Sequence, residues 1–270
     1  MKYEDDDLIQ FEAVGPTPLP PSEQEGYVEL AGARIWYSSV GQGPAVVLLH
    51  GGMGNSANWG FQVPALLAAG YRAILIDSRG QGRSSADGGP LSYDRMAEDT
   101  LAVLDHLRID RAAFVGWSDG AVTSLVLSEK HPDRSAGVFF FACNVDPSGA
   151  KPFVYTDIIG RCLSRHRKDF GALSPNPDGF QATSETVSHM QSTQPNYTAE
   201  DLGRVRILFW SVIGEGDEFI EQEHAAYLAR SVPGGELHVL PGVSHFAPVQ
   251  RPGTFNREML AFLAKVAPVS

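Results

Sequence analysis

The sequence predicts an α/β fold, with a mostly parallel central sheet, helices on both faces and a helical cap inserted between two strands. Three observations carry this expectation. Short apolar runs at 46–49, 73–76, 112–115, 138–141, 207–212 and 237–240 are rich in β-branched and aromatic residues, as strands buried on both faces are. Amphipathic stretches of helical period separate them, and strand–helix alternation implies βαβ units. A glycine-flanked serine stands directly where one such run gives way to a helical stretch.

Residues 1–26 read as an arm, running from an acidic cluster into Gly15-Pro16-Thr17-Pro18-Leu19-Pro20-Pro21. Prolines at this density exclude a long helix or a central strand. Gly32 and the run at 35–37 predict an antiparallel hairpin before the parallel strands. Helices are predicted at 92–107, where Met96, Val103, Leu104 and Leu107 share a face, and at 118–129, ahead of Pro132. Two more are predicted at 221–230 and 254–265. The core is thus expected at 27–146 and 204–270.

The alternation breaks over 147–203, which holds Pro147, Pro152, Pro175, Pro177 and Pro195 and no clear strand. An insertion placed after a strand is expected to lie as a lid over a site at the strand C-termini. Phe153, Tyr155 and Ile158 are its candidates for apolar contact with a substrate. Its basic cluster, Arg161, Arg165, Arg167 and Lys168, reads as a solvated helix face.

A formal charge of −11 argues against binding nucleic acid or an anionic membrane surface. No run of about 18 apolar residues exists, and the acidic N-terminus has no secretory pattern, so a cytoplasmic location is expected. Two cysteines, Cys143 and Cys162, form neither a disulfide framework nor a zinc set. No metal and no cofactor are expected.

Gly116-Trp117-Ser118-Asp119-Gly120 follows the 112–115 run. A strand-to-helix turn this sharp needs small residues on both sides of the serine. It lifts the hydroxyl out at the end of the sheet, beside the amides that open a helix. A serine needs a base, and His245 follows the 237–240 run in a loop at the same sheet edge. His224 and His238 lie within predicted elements and read as structural. The base needs a carboxylate, and Asp217 in Gly214-Glu215-Gly216-Asp217 is the candidate, with Glu215, Glu218 and Asp146 as competitors. His50-Gly51-Gly52-Met53-Gly54 follows the 46–49 run. Gly52 or Met53 would supply one oxyanion amide and Asp119 the other, with His50 fixing the loop.

In order, the blocks at 50–54, 116–120 and 214–217 and the lone His245 resemble the α/β-hydrolase superfamily over about residues 27–267. A further block at 77–84 is similar to that family's turn after the next strand and reads as structural. The serine block is similar to that of the biphenyl hydrolase-like (valacyclovir hydrolase) family, although Ala121 stands where that family has glycine. The resemblance implies that Asp119 engages a substrate ammonium; Trp117 is a further candidate for substrate contact. The expectation is a serine hydrolase cleaving a small carboxylic ester, such as an amino-acid ester, through an acyl-enzyme. The same residues would serve a C–C bond, lactone or amide hydrolase, because bond choice lies in the pocket. A ligand sensor of this fold with little turnover is the alternative of another class. The expected partner is a small-molecule carbonyl substrate.

Overall fold

The computed structural model describes residues 6–30 and 32–269. The chain opens with α1 (Asp6–Val14) and the hairpin β1 (Gln24–Leu30) and β2 (Ala33–Val40). Strand β3 (Ala45–Leu49) leads to α2 (Gln62–Ala68), β4 (Arg72–Ile76) and α3 (Tyr93–His106). Next come β5 (Ala112–Trp117), α4 (Asp119–Lys130) and β6 (Ser135–Phe141). Helices α5 (Asp157–Leu173), α6 (Phe180–Thr193) and α7 (Ala199–Leu202) precede β7 (Leu208–Gly214). The chain closes with α8 (Gln222–Ser231), β8 (Glu236–Leu240), α9 (Ala247–Gln250) and α10 (Pro252–Val266).

The eight strands make one sheet in the order β1-β2-β4-β3-β5-β6-β7-β8. Pairing is antiparallel for β1–β2 and β2–β4 and parallel from β4 through β8. The six runs picked out in the sequence are β3 to β8, and the expected hairpin is β1–β2. Because side chains alternate across a strand, each run feeds two cores. Val46, Leu48, Ala113, Val115, Phe139 and Phe141 face one, with residues of α1, α2 and α10. Val47, Leu49, Phe114, Val138 and Phe140 face the other, with residues of α3, α4 and α8. Each fully buried large side chain of this kind contributes about 1.5–3 kcal/mol.

Parallel crossovers put every strand C-terminus from β3 to β8 on one edge, so the loops after β3, β5, β7 and β8 converge there. Helices α5 and α6 lie in the stretch between β6 and β7. Thr156 caps α5 by accepting from the Ile159 amide at 3.2 Å. The prolines of the N-terminal stretch begin only at Pro16, and the nine-residue helix α1 fits ahead of them. Its Leu8 and Phe11 are fully buried, and Arg161 of α5 donates to Glu12 at 2.7 Å. The basic cluster is therefore partly paired: Arg165 also bridges Asp169, and Arg167 stacks over Phe180. No helix among the described residues is long and apolar enough to cross a membrane.

Candidate active site

Ser118 stands alone between β5 and α4, with φ 54° and ψ −120°. A left-handed φ on a non-glycine residue is strained by about 1–3 kcal/mol and persists only where packing imposes it. Here β5 and α4 meet at close quarters. A Cβ on Gly116 would lie 2.4 Å from the Gly120 carbonyl oxygen, and one on Gly120 would lie 2.1 Å from that of Leu49. The two glycines let the turn close, and the turn holds the serine at the mouth of the sheet edge.

His245 follows β8 and is buried. Its Nδ1 lies 3.0 Å from Oδ2 of Asp217, in the loop after β7. With that carboxylate accepting, Nδ1 carries the proton and Nε2 of the neutral ring is basic. Oδ1 of Asp217 accepts the amides of Phe219 and Ile220, both at 2.9 Å, which pins the carboxylate. Burial, the largest influence, lowers the His245 pKa, but Asp217, Glu218 and Asp119 together raise it above its ordinary value. The competitors are occupied elsewhere. Glu218 Oε2 accepts the His245 amide at 3.0 Å, Glu215 accepts the Gly242 amide, and Asp146 caps its own turn through Ser148.

The loop after β3 is fixed by His50. Its Nε2 accepts the Ser78 amide at 3.0 Å, so Nδ1 donates to the Gly51 carbonyl at 2.7 Å. Burial lowers the His50 pKa and keeps the ring neutral. The two candidate oxyanion amides of this loop separate. Met53 donates its N–H to Oε1 of Gln81 at 2.6 Å and is committed there. Of the two candidates, Met53 is the one whose amide is already paired. The 77–84 block is a structural turn, with Asp77 accepting the Ser56 and Arg83 amides.

A cavity of about 650 Å³ joins these loops, lined by Gly52, Trp117, Ser118, Asp119, Phe153 and His245 among others. Two sequence candidates fall outside it. Tyr155 is 67% exposed, and Ile158, in the first turn of α5, packs against the core. The direction in which α5 enters decides this, and no local pattern carries that direction. Instead α6 presents Ser184, Val187, Ser188 and Gln191 to the cavity, a face at three- and four-residue spacing.

Asp119 is almost wholly buried, yet among the described residues its carboxylate meets neither an Arg nor a backbone donor. Tyr93 donates its hydroxyl to Oδ1 at 2.8 Å, and Gln191 donates its amide at 3.1 and 3.0 Å. A Cβ on Gly52 would lie 2.6 Å from Asp119 Oδ2, so the carboxylate sits under the loop after β3. Burial pushes the Asp119 pKa up. Cys143 also lines the cavity beside Ser118, and burial holds its thiol protonated. Tyr93, Gln191, Gln81 and Cys143 were not anticipated. Only proximity across the fold gives them meaning.

An α/β-hydrolase sheet with a serine at the β5 turn and a His–Asp pair after β8 and β7 defines a hydrolase class. The chain belongs to the alpha/beta hydrolase family, whose model matches residues 46–258. It is 26% identical to the human serine hydrolase BPHL over 250 residues, covering 87% of this chain and 85% of that protein. It is also 26% identical to 2-hydroxy-6-oxo-6-phenylhexa-2,4-dienoate hydrolase of Burkholderia cepacia, covering 87% and 93%. A match of 34% to pig bifunctional epoxide hydrolase 2 spans 48% of this chain but only 24% of that protein. Among solved structures, the meta-cleavage product hydrolase CumD of Pseudomonas fluorescens superposes with TM-score 0.75 at 21% identity, covering 89% and 97%. The protein is thus an enzyme of a hydrolase superfamily.

Proposed function

We propose that the protein hydrolyses small carboxylic esters through an acyl-enzyme on Ser118. Ser118 Oγ attacks the ester carbonyl and its proton passes to His245 Nε2. The tetrahedral oxyanion is held by the amides of Gly52 and Asp119; the latter opens α4 and has no intrahelical acceptor. Collapse expels the alcohol, which takes the proton from His245. Water, deprotonated by the same imidazole, then releases the acid and restores Ser118. The observation that carries this reading is that His245, 3.0 Å from Asp217, lines the same cavity as a strained Ser118.

The preferred esters carry an ammonium group. Asp119 supports this, because a buried carboxylate held only by neutral donors is costly unless a cation joins it. A substrate ammonium also offsets the repulsion between that carboxylate and the developing oxyanion. Residues 147–203 act as a cap that closes the cavity, over a core of 27–146 and 204–270.

Matched esters test this: a valine ester against the 3-methylbutanoate ester of the same alcohol. Wild type should prefer the amino ester in kcat/KM. Asp119→Asn should lower that preference by roughly 100-fold, the scale of removing one partner from a desolvated ion pair. Equal loss on both esters would overturn the ammonium reading. A panel with lactone, amide and C–C substrates decides the bond class. Tight ligand binding with no turnover anywhere in the panel would overturn the enzyme mechanism in favour of a sensor.

A further inference from the structure

His166 lies on α5 and has no part in the ester chemistry described above. It is 4% exposed and lines the same cavity as Ser118. Its surroundings are mostly aromatic. Phe11 of α1 meets the ring edge-on at 6.2 Å and Trp117 meets it at 6.5 Å. Among the described residues neither Nδ1 nor Nε2 has a hydrogen-bond partner. Trp117 also lines the cavity, and among the described residues its buried indole Nε1 lacks a partner too.

Two unsatisfied ring nitrogens between aromatic rings are unfavourable, and a phenylalanine would fit between Phe11 and Trp117 at no polar cost. Because the residue lines the cavity, a molecule that enters it can supply those partners once the ring turns about χ2, which is a broad torsion in histidine. Burial lowers the pKa of His166 to about 4, so the ring is neutral near pH 7. A neutral imidazole offers one donor and one acceptor. Its complement is an uncharged group that both accepts and donates.

We propose that His166, with the Trp117 indole beside it, is a specificity subsite that hydrogen-bonds a hydroxyl group of the substrate away from the scissile carbonyl. The proposal rests on the ester-hydrolase reading for its kinetic test and stands without it for its binding test. It concerns a different part of the substrate from Asp119.

The test compares ethyl butanoate with ethyl 2-hydroxybutanoate, ethyl 3-hydroxybutanoate and 2-hydroxyethyl butanoate, which place a hydroxyl on either side of the ester. Wild type should favour at least one hydroxylated ester over the parent by about tenfold in kcat/KM, the scale of one buried hydrogen bond left unmade. His166→Phe keeps an aromatic ring between Phe11 and Trp117 and should bring that ratio to about one; His166→Gln, which keeps a donor and an acceptor, should restore part of it. The same pairs are then bound calorimetrically to Ser118→Ala, with and without His166→Phe. A hydroxyl preference that survives His166→Phe, or none in either rate or binding, overturns the subsite. Hydroxyl-dependent binding abolished by His166→Phe, in a wild type that turns over none of the esters, supports the subsite and overturns the ester-hydrolase reading instead.

Discussion

The Tyr93 hydroxyl donates to Oδ1 of Asp119 at 2.8 Å, and both side chains are buried. Burial, and then the charge of Asp119, raise the Tyr93 pKa, so the phenol stays a donor across the working range of pH. Burial raises the Asp119 pKa, while the hydrogen bonds from Gln191 and Tyr93 and the charge of His245 pull it back. Tyr93 therefore helps to keep a carboxylate ionised under the loop after β3.

Tyr93→Phe should remove that help while leaving the ring in place. A hydrogen bond to a charged group is worth about 1.5–3 kcal/mol, so kcat/KM for an amino-acid ester should fall roughly 10- to 100-fold at pH 7. The matched neutral ester should change much less. The acid limb for the amino ester should move to higher pH, because Asp119 then needs a higher pH to ionise. Steady-state kinetics on the matched pair check this; parallel losses on both esters would make Tyr93 a packing residue.

Ser118→Ala, His245→Ala and Asp217→Asn should each lower kcat by roughly 10³-fold or more. Asp217→Asn should be the mildest of the three in chemistry. It also disturbs a carboxylate that accepts two loop amides, so its unfolding should be followed alongside its rate. Near-normal turnover in Asp217→Asn, with loss in Glu218→Gln, would transfer the acid role to Glu218.

The pH dependence follows from His245. Its folded-state pKa lies above the ordinary 6.5, and the base must be neutral to act. The acid limb of kcat/KM should therefore fall above pH 6.5. The stability linkage has the opposite slope. A raised folded pKa stabilises the fold fully below pH 6.5, and that contribution fades as pH rises through the folded value. Glu218 raises the His245 pKa by its charge while accepting the His245 amide, which a glutamine oxygen also does. Glu218→Gln should thus move the acid limb to lower pH without unseating the loop. A pH–rate profile of the two proteins on a neutral ester decides it.

The parallel core was legible because β3 to β8 are covered on both faces and so read as continuous apolar runs. The Ser118 elbow was legible because glycine is the only residue that lets Gly116 and Gly120 close the turn. The partners of Asp119 were not legible. Tyr93 opens α3 and Gln191 lies on α6, and only the folded chain brings them together. The same holds for Met53, whose amide goes to Gln81 because of where the 77–84 turn passes. Tyr155 and Ile158 stand out in the sequence by apolarity, but apolarity does not tell which residues at the start of α5 face the cavity. His166, just over two turns beyond Ile158 on that helix, lines the cavity.

The helix α1 gives the last prediction. Leu8 and Phe11 are three residues apart and both fully buried in the main core cluster, while Ile9 between them is 57% exposed. That pattern is one turn of an amphipathic helix seated on α5 and α9, with Glu12 tied to Arg161. Deleting the Phe11 ring leaves a cavity against the His166 ring and the sheet core, and such truncations cost about 3–5 kcal/mol. For a chain of this size that lowers Tm by roughly 10 °C. Ile9→Ala, on the outer face of the same helix, should stay within about 0.5 kcal/mol of wild type and shows what the helix loses without core packing. Calorimetric melting of the two variants separates the cases. Equal, small shifts would mean that α1 is an appendage; a large shift confined to Phe11→Ala would make it a structural part of the wall that carries His166.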